Sequence, residues 1–204
     1  MNITDIQIRL RKIGEELTLL EGALEELKPK DKKAGKDVYK NIDILAGKNP
    51  ICNNRLAKEE DILKKYYIQF LSIIANMDKR NYEDKLLYIT RLARGIGYEG
   101  DAKDIEMLGV DISNDIFENI VRFTDKYNYN IIADGLIVAD INGEAEDDVI
   151  SLISGMAGYM GCSKEDMRVI STVAVCMLEN EFDRLNELDI NTNKWMGVFS
   201  DQIP

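Results

Sequence analysis

Residues 138–175, VADINGEAEDDVISLISGMAGYMGCSKEDMRVISTVAV, contain the signals that decide the fold. The acidic run at 146–148 is typical of the first turn of a helix, where carboxylates offset the positive end of the helix dipole. Gly161 is placed to end that helix, and Ser163 with Asp166 forms a predicted capping box for the next one. The stretch therefore predicts the end of one helix, a complete second helix and the start of a third.

Similar signals recur upstream along the chain. Asp84 is placed to open a helix in KLLYITRLARGI, and the glycines between 95 and 100 are placed to end it. Ser113 precedes a further helical pattern, NDIFENIVRFTDKY, and another helix is predicted over about 130–141. Long alternations of β-branched residues, which would indicate strands, do not occur in the sequence, so we predict an all-α protein.

The N-terminal 28 residues carry the most regular apolar spacing in the sequence. Steps of three and four residues separate eight Ile and Leu side chains, and Pro29 is placed to end the helix. The eight seam residues are Ile3, Ile6, Leu10, Ile13, Leu17, Leu20, Leu24 and Leu27. Such a narrow apolar seam needs a helical partner. Residues 54–79 repeat the spacing and could be this partner, which would give an antiparallel hairpin within the chain. Alternatively, the partner is the same helix of a second copy of the chain, which would give a homo-oligomer.

Charge divides the sequence near residue 80. Residues 1–80 carry 16 Lys and Arg against 13 Asp and Glu, a net charge of +3, whereas the remainder carries 10 against 24, a net charge of −14. We predict a helical hairpin or coiled-coil segment at 1–80, an acidic helical domain at 81–188 and a tail at 189–204. The acidic domain should repel nucleic-acid phosphates and bind neither DNA nor RNA. The apolar side chains with which the tail can dock on the body are Trp195, Met196 and Phe199.

The residue inventory argues against enzyme chemistry. The chain contains no histidine, which removes the commonest general base and the commonest metal ligand. Its three cysteines are far apart and lack CxxC spacing, so neither a zinc site nor a disulfide framework is predicted. The segments AGKNP and ARGIGYEG do not match a phosphate-binding loop. The N-terminus is too polar for a signal peptide and no apolar run reaches membrane-spanning length, so we expect a cytoplasmic protein that is not an enzyme.

The C-terminal half, about residues 81–188, resembles the tellurite-resistance TerB-like family. The resemblance rests on a small residue, a glycine turn, an acidic start to an apolar helix, a small-residue end and a Ser-capped acidic start to the next helix. The matching residues are Ala139, Asn142, Gly143, Glu144, Asp147, Gly161, Ser163, Lys164 and Glu165. Asn142 departs from the family, which usually has aspartate before the glycine. The resemblance implies a compact all-α bundle of two related halves, the first around ITRLARGIGYEGDAKDIEML, with protein partners and a role in stress response or phage defence.

Three interpretations fit the acidic turn at residues 139–148. In the first, the turn is a joint: Gly143 ends one helix in the left-handed conformation and the acidic run at 146–148 begins the next. In the second, oxygen ligands converge on a hard cation such as calcium. The metal ligands in that interpretation are Asp140, Asn142, Glu144 and Asp147. In the third, paired carboxylates perform acid–base catalysis, although the sequence shows neither a nucleophile pocket nor a phosphate loop. We favour the joint.

The sequence thus leads to three functional hypotheses. The first is a non-enzymatic scaffold, which needs no cofactor, assembles through its N-terminal helices and binds protein partners with its TerB-like domain. The second is a regulatory module that binds calcium at the acidic turn. The third is an inhibitor of the kind phages encode, which uses its acidic domain to mimic nucleic acid.

Overall fold

A computed structural model describes residues 32–52, 54–141, 143, 145–179, 181 and 184, with side-chain burial from Val38 onward. The eight seam residues and the tail lie outside the described residues, so their predicted packing stays a prediction. The chain forms two compact units, Met1–Asp37 and Val38–Pro204. The domain boundary predicted near residue 80 stays a prediction.

The described residues are helical and no strand occurs among them, which confirms the prediction of an all-α fold. The α-helices are α1 (Lys32–Lys48), α2 (Asp61–Met77), α3 (Tyr82–Gly95), α4 (Ala102–Leu108), α5 (Asn114–Thr124), α6 (Asn128–Asp140), α7 (Asp147–Tyr159) and α8 (Lys164–Glu179). Short 3-10 turns at Arg55–Lys58 and Asp125–Tyr127 precede α2 and α6. Within the part of the chain that the structure describes, no helix is long and apolar enough to cross a membrane.

Helix α2 forms the centre of the bundle. Every residue from Tyr67 to Ala75 is buried, and the helix packs against α3, α4, α5 and α6. A helix that is buried around its whole circumference belongs to the core of a domain. Phe70 and Ile73, which belong to the segment 54–79 that repeats the apolar spacing of the N-terminal helix, are fully buried inside this bundle.

Helix α6 is the second buried helix. It packs against α2, α7 and α8, and ten of its thirteen residues are buried. Gly135 brings it close to α2, since a β-carbon there would lie 3.0 Å from Ile74 Cδ1 and 3.2 Å from Phe70 Cε1. Because a close-packed interior resists even one added methyl group, this glycine sets the distance between the two central helices.

The ends of α7 and α8 confirm the capping signals in residues 138–175. Gly161 has a φ of +74°, and the Cys162 amide donates to the Ala157 carbonyl at 2.9 Å, as in a Schellman motif. The Ser163 amide donates to Asp166 Oδ2 at 2.8 Å and the Asp166 amide donates to Ser163 Oγ at 3.1 Å. These reciprocal hydrogen bonds are the capping box predicted for α8.

The first half of the bundle repeats this order of local features. Gly97 has a φ of +71°, and the Tyr98 amide donates to the Ala93 carbonyl at 2.9 Å. Asp101 and Asp104 then form a capping box at the start of α4. Helices α2–α3–α4 and α6–α7–α8 therefore share one plan: a buried helix, a turn, a helix ended by a left-handed glycine, and a box-capped third helix.

Candidate functional site

The acidic turn joins α6 to α7, as the joint interpretation predicted. Helix α6 ends at Asp140, and Ile141 leaves the helix with φ −55° and ψ 114°. The Gly143 amide then donates to the Asp140 carbonyl at 3.2 Å, which closes a tight turn. The helix thus ends through the backbone of Ile141, two residues before Gly143. The detail that Gly143 itself ends the helix in the left-handed conformation is therefore wrong.

The predicted cation ligands are only half described. Asp140 and Asp147 are exposed at the two ends of the turn, whereas Asn142 and Glu144 lie outside the described residues. Among the residues that the structure describes, no group of three or more His, Cys, Asp or Glu side chains is arranged to hold a metal ion. Because two of the four ligands are not described, the calcium interpretation stays a prediction.

A network of charges holds the acidic turn against the loop between α2 and α3. Glu146 Oε1 lies 3.6 Å from Arg80 Nε. Arg80 in turn donates from Nε and Nη2 to the two carboxylate oxygens of Asp78, at 2.9 and 3.1 Å. The same carboxylate accepts from Lys85 Nζ at 2.7 Å, in a pair whose side chains are 3% and 1% exposed. This chain of contacts links a buried ion pair to the surface turn.

Two cations fix the ionisation of Asp78. Hydrogen bonding from the Arg80 guanidinium, with a further contribution from Lys85, outweighs burial and holds the pKa of Asp78 well below its usual value of 3.8. The Arg80 amide adds a hydrogen bond of 3.0 Å to Asp78 Oδ1. The carboxylate thereby organises the loop against which the acidic turn rests.

We expect calcium to leave the melting temperature unchanged. Glu146 already faces a protein cation, Arg80, and Asp147 lies in the first turn of α7, where the helix dipole favours a carboxylate without any metal. Thermal unfolding with and without calcium tests this expectation. A rise abolished by both Asp140→Asn and Glu144→Gln, and kept in the control Asp115→Asn on α5, would instead assign the turn to a hard cation.

A second polar cluster lies inside the bundle, and no sequence pattern predicted it. Asp134 of α6 is 3% exposed and accepts hydrogen bonds from Tyr67 of α2 at 2.6 Å and from Tyr88 of α3 at 2.7 Å. Burial outweighs these hydrogen bonds and raises the pKa of Asp134 to about 6. Burial, together with the adjacent carboxylate, also raises the pKa of both tyrosines.

The Asp134 cluster holds three helices together. The two hydroxyl partners of Asp134 belong to different helices, so the three side chains fix α2, α3 and α6 relative to one another. The only sequence signal was a single carboxylate in an otherwise apolar stretch of α6, NIIADGLIVA.

An open groove lies between α5 and α7 and has a volume of about 710 Å³. Its walls are formed by Asn114, Phe117, Glu118, Val121 and Arg122 of α5 and by Ser151, Leu152, Gly155, Met156 and Tyr159 of α7. Met156 is almost fully buried beneath the groove, whereas Tyr159 is 83% exposed beside it. A concave apolar surface of this size with an adjacent exposed aromatic ring has the character of a binding site.

The two helices that form this groove carry mostly negative charge. The charged residues of α5 and α7 are Asp115, Glu118, Arg122, Asp147 and Asp148, all of them exposed. Of these five, Glu118 and Arg122 line the groove. The two helices together carry a net charge of −3, from four carboxylates and one guanidinium, which favours a partner with positive charges beside its apolar contact residues.

Comparison of the chain with known protein families, curated proteins and solved structures found no match. The resemblance to the TerB-like family stays a prediction, and the function has to be inferred from the bundle itself.

Proposed function

We propose that this protein is a non-enzymatic interaction protein whose groove between α5 and α7 binds an amphipathic helix of a protein partner. The groove carries the proposal. Helix α5 packs against α2 and helix α7 packs against α6, and the space between α5 and α7 stays open. Two exposed helices with an apolar gap between them present the surface that a third helix fills in helix-in-groove recognition.

The charge of the groove narrows the choice of partner. Its apolar interior requires a helix with apolar residues on one face, and the net negative charge of α5 and α7 favours Lys or Arg beside that face. The net charge of −14 from residue 81 onward favours a basic protein surface over a nucleic acid. Charge attraction of this kind acts mainly on the association rate and weakens with salt.

We further propose that the bundle has a TerB-like architecture and works in the cytoplasm, with the N-terminal seam of residues 3–27 available for assembly. The repeated plan of α2–α3–α4 and α6–α7–α8 supports two related halves. A calcium-binding role for the acidic turn is the second candidate, and the melting experiment with Asp140→Asn and Glu144→Gln tests it separately.

Two glycines of α7 supply a matched pair of variants for testing the groove. A β-carbon at Gly155 or at Gly158 would meet nothing within 4 Å, and both positions are exposed. Gly155 lines the groove whereas Gly158 is not among its lining residues. Leucine at either position should preserve the fold and favour the helix by about 0.5–1 kcal/mol, because glycine in a helix interior is unfavourable.

We expect Gly155→Leu to weaken partner binding by about tenfold or more, which corresponds to about 1.4 kcal/mol, while Gly158→Leu stays within about twofold of wild type. A photo-crosslinking amino acid in place of Tyr159 identifies the partner in cells. Isothermal titration of the purified partner against the three proteins then measures affinity. Equal affinities for the two leucine variants, or the same crosslinked proteins when the crosslinker replaces Ile44, would contradict the proposal.

A further inference from the structure

A second, smaller groove lies among α6, α7 and α8 and has a volume of about 290 Å³. Its lining residues are Leu136, Asp140, Ala145, Ile150, Ser171, Ala174, Val175 and Leu178. Six of these eight are apolar, and Ile150 and Val175 remain 38% and 39% exposed. The described residues thus leave an apolar surface beside the acidic turn, with space for one large side chain and a smaller neighbour.

The C-terminal end of α8 lies at this groove. Leu178, the penultimate residue of α8, lines it. The Glu181 amide donates to the Cys176 carbonyl at 2.9 Å, so the backbone turns directly beyond the helix. Residues 185–204 follow, outside the described part of the chain, and their densest apolar group is WMGVF at 195–199.

We propose that Trp195 of the tail occupies the groove among α6, α7 and α8 of its own chain. Trp195 lies seventeen positions beyond Leu178, and an extended chain of that length spans roughly 55–60 Å, so the tail reaches the groove easily. Lys194, the only cation beyond Arg184, directly precedes Trp195, and the charged residue of the groove lining, Asp140, is a carboxylate. The tail therefore matches the groove in apolar character and in charge.

The proposal has a direct reporter because Trp195 is the only tryptophan in the chain. In the folded full-length chain we expect its emission maximum at shorter wavelength than in urea, and acrylamide quenching several-fold slower. Val175→Glu introduces a charge beside the groove at an exposed position of α8, so the bundle should still fold. In this variant the emission should move to the wavelength seen in urea, with unchanged helical circular dichroism.

Two control variants separate this groove from other surfaces. Ile62→Glu makes a similar change at a residue that is 38% exposed on α2, and Gly155→Leu fills the groove between α5 and α7. Both should keep the emission of the wild-type protein. An unshifted emission in the wild type, no response to Val175→Glu, or a response to Gly155→Leu would overturn the proposal. A blue shift that disappears on dilution would overturn it too, because the tail would then occupy a second copy. None of these outcomes depends on whether the α5–α7 groove binds a partner.

Discussion

Replacing Asp78 by asparagine should lower the free energy of unfolding by about 3–5 kcal/mol, the usual result of breaking a buried ion pair from one side. The Asp78 carboxylate is 3% exposed and the Lys85 side chain 1% exposed, with 2.7 Å between Oδ2 and Nζ. Asparagine keeps the shape of the side chain but removes its charge, which leaves the Lys85 ammonium buried without a counterion. Urea denaturation followed by circular dichroism measures the difference.

The matched control for this prediction is Glu146→Gln, at the exposed end of the same network. Arg80 and Glu146 are both about half exposed and 3.6 Å apart, so solvent screens their attraction, and its loss should cost at most about 1 kcal/mol. Arg80 cannot compensate for the charge lost in Asp78→Asn, because its guanidinium, like the Lys85 ammonium, would then face a neutral amide. Similar losses of stability in the two variants would show that the buried pair contributes no more than a surface contact.

The buried pair also fixes the acid limit of stability. Arg80 and Lys85 hold the pKa of Asp78 below its usual value of 3.8, so the unfolded chain takes up this proton more readily than the folded protein. The stability from this group is therefore fully present above about pH 4 and is lost as the pH falls below it. In Asp78→Asn this loss at acid pH should be absent.

Replacing Asp134 by asparagine should remove a pH dependence of the opposite sign. Burial raises the pKa of Asp134 from 3.8 to about 6, and at about 1.4 kcal/mol per pH unit this difference corresponds to about 3 kcal/mol. The folded protein binds this proton more tightly than the unfolded chain. The free energy of unfolding should therefore fall by about 3 kcal/mol as the pH rises from about 4 to about 6, and then level off.

Asparagine is neutral at every pH and can keep hydrogen bonds to both tyrosines, so the stability of Asp134→Asn should stay nearly level across this interval. Urea denaturation at half-unit steps from pH 4 to pH 8 provides the test. Tyr67→Phe is the second variant. It removes a hydroxyl that favours the ionised Asp134 carboxylate, so the pKa of Asp134 should rise further. The free energy of unfolding should therefore continue to fall to a higher pH than in the wild type. An unchanged decline in Asp134→Asn would exclude Asp134 as its source.

The sequence predicted the helix ends and joints well because their signals lie within a few residues of one another. Ser163 and Asp166, three positions apart, form the capping box, and Gly161 takes the left-handed conformation that ends α7. The acidic run at 146–148 likewise marks the start of α7. The exact residue that ends α6 was missed, because residues with any side chain can adopt the backbone angles of Ile141, φ −55° and ψ 114°.

By itself, then, the sequence determined an all-α chain, the helical segments of α2, α3 and α5–α8, and the acidic joint between α6 and α7. Only the tertiary structure decided that α2 lies at the centre of the bundle, since an apolar spacing shows which side chains seek burial but not which helices will bury them. The Asp134 cluster joins residues 46 and 67 positions apart, and the groove between α5 and α7 combines residues from separate helices. Such sites have no local signature, because the bundle brings their members together only when it packs.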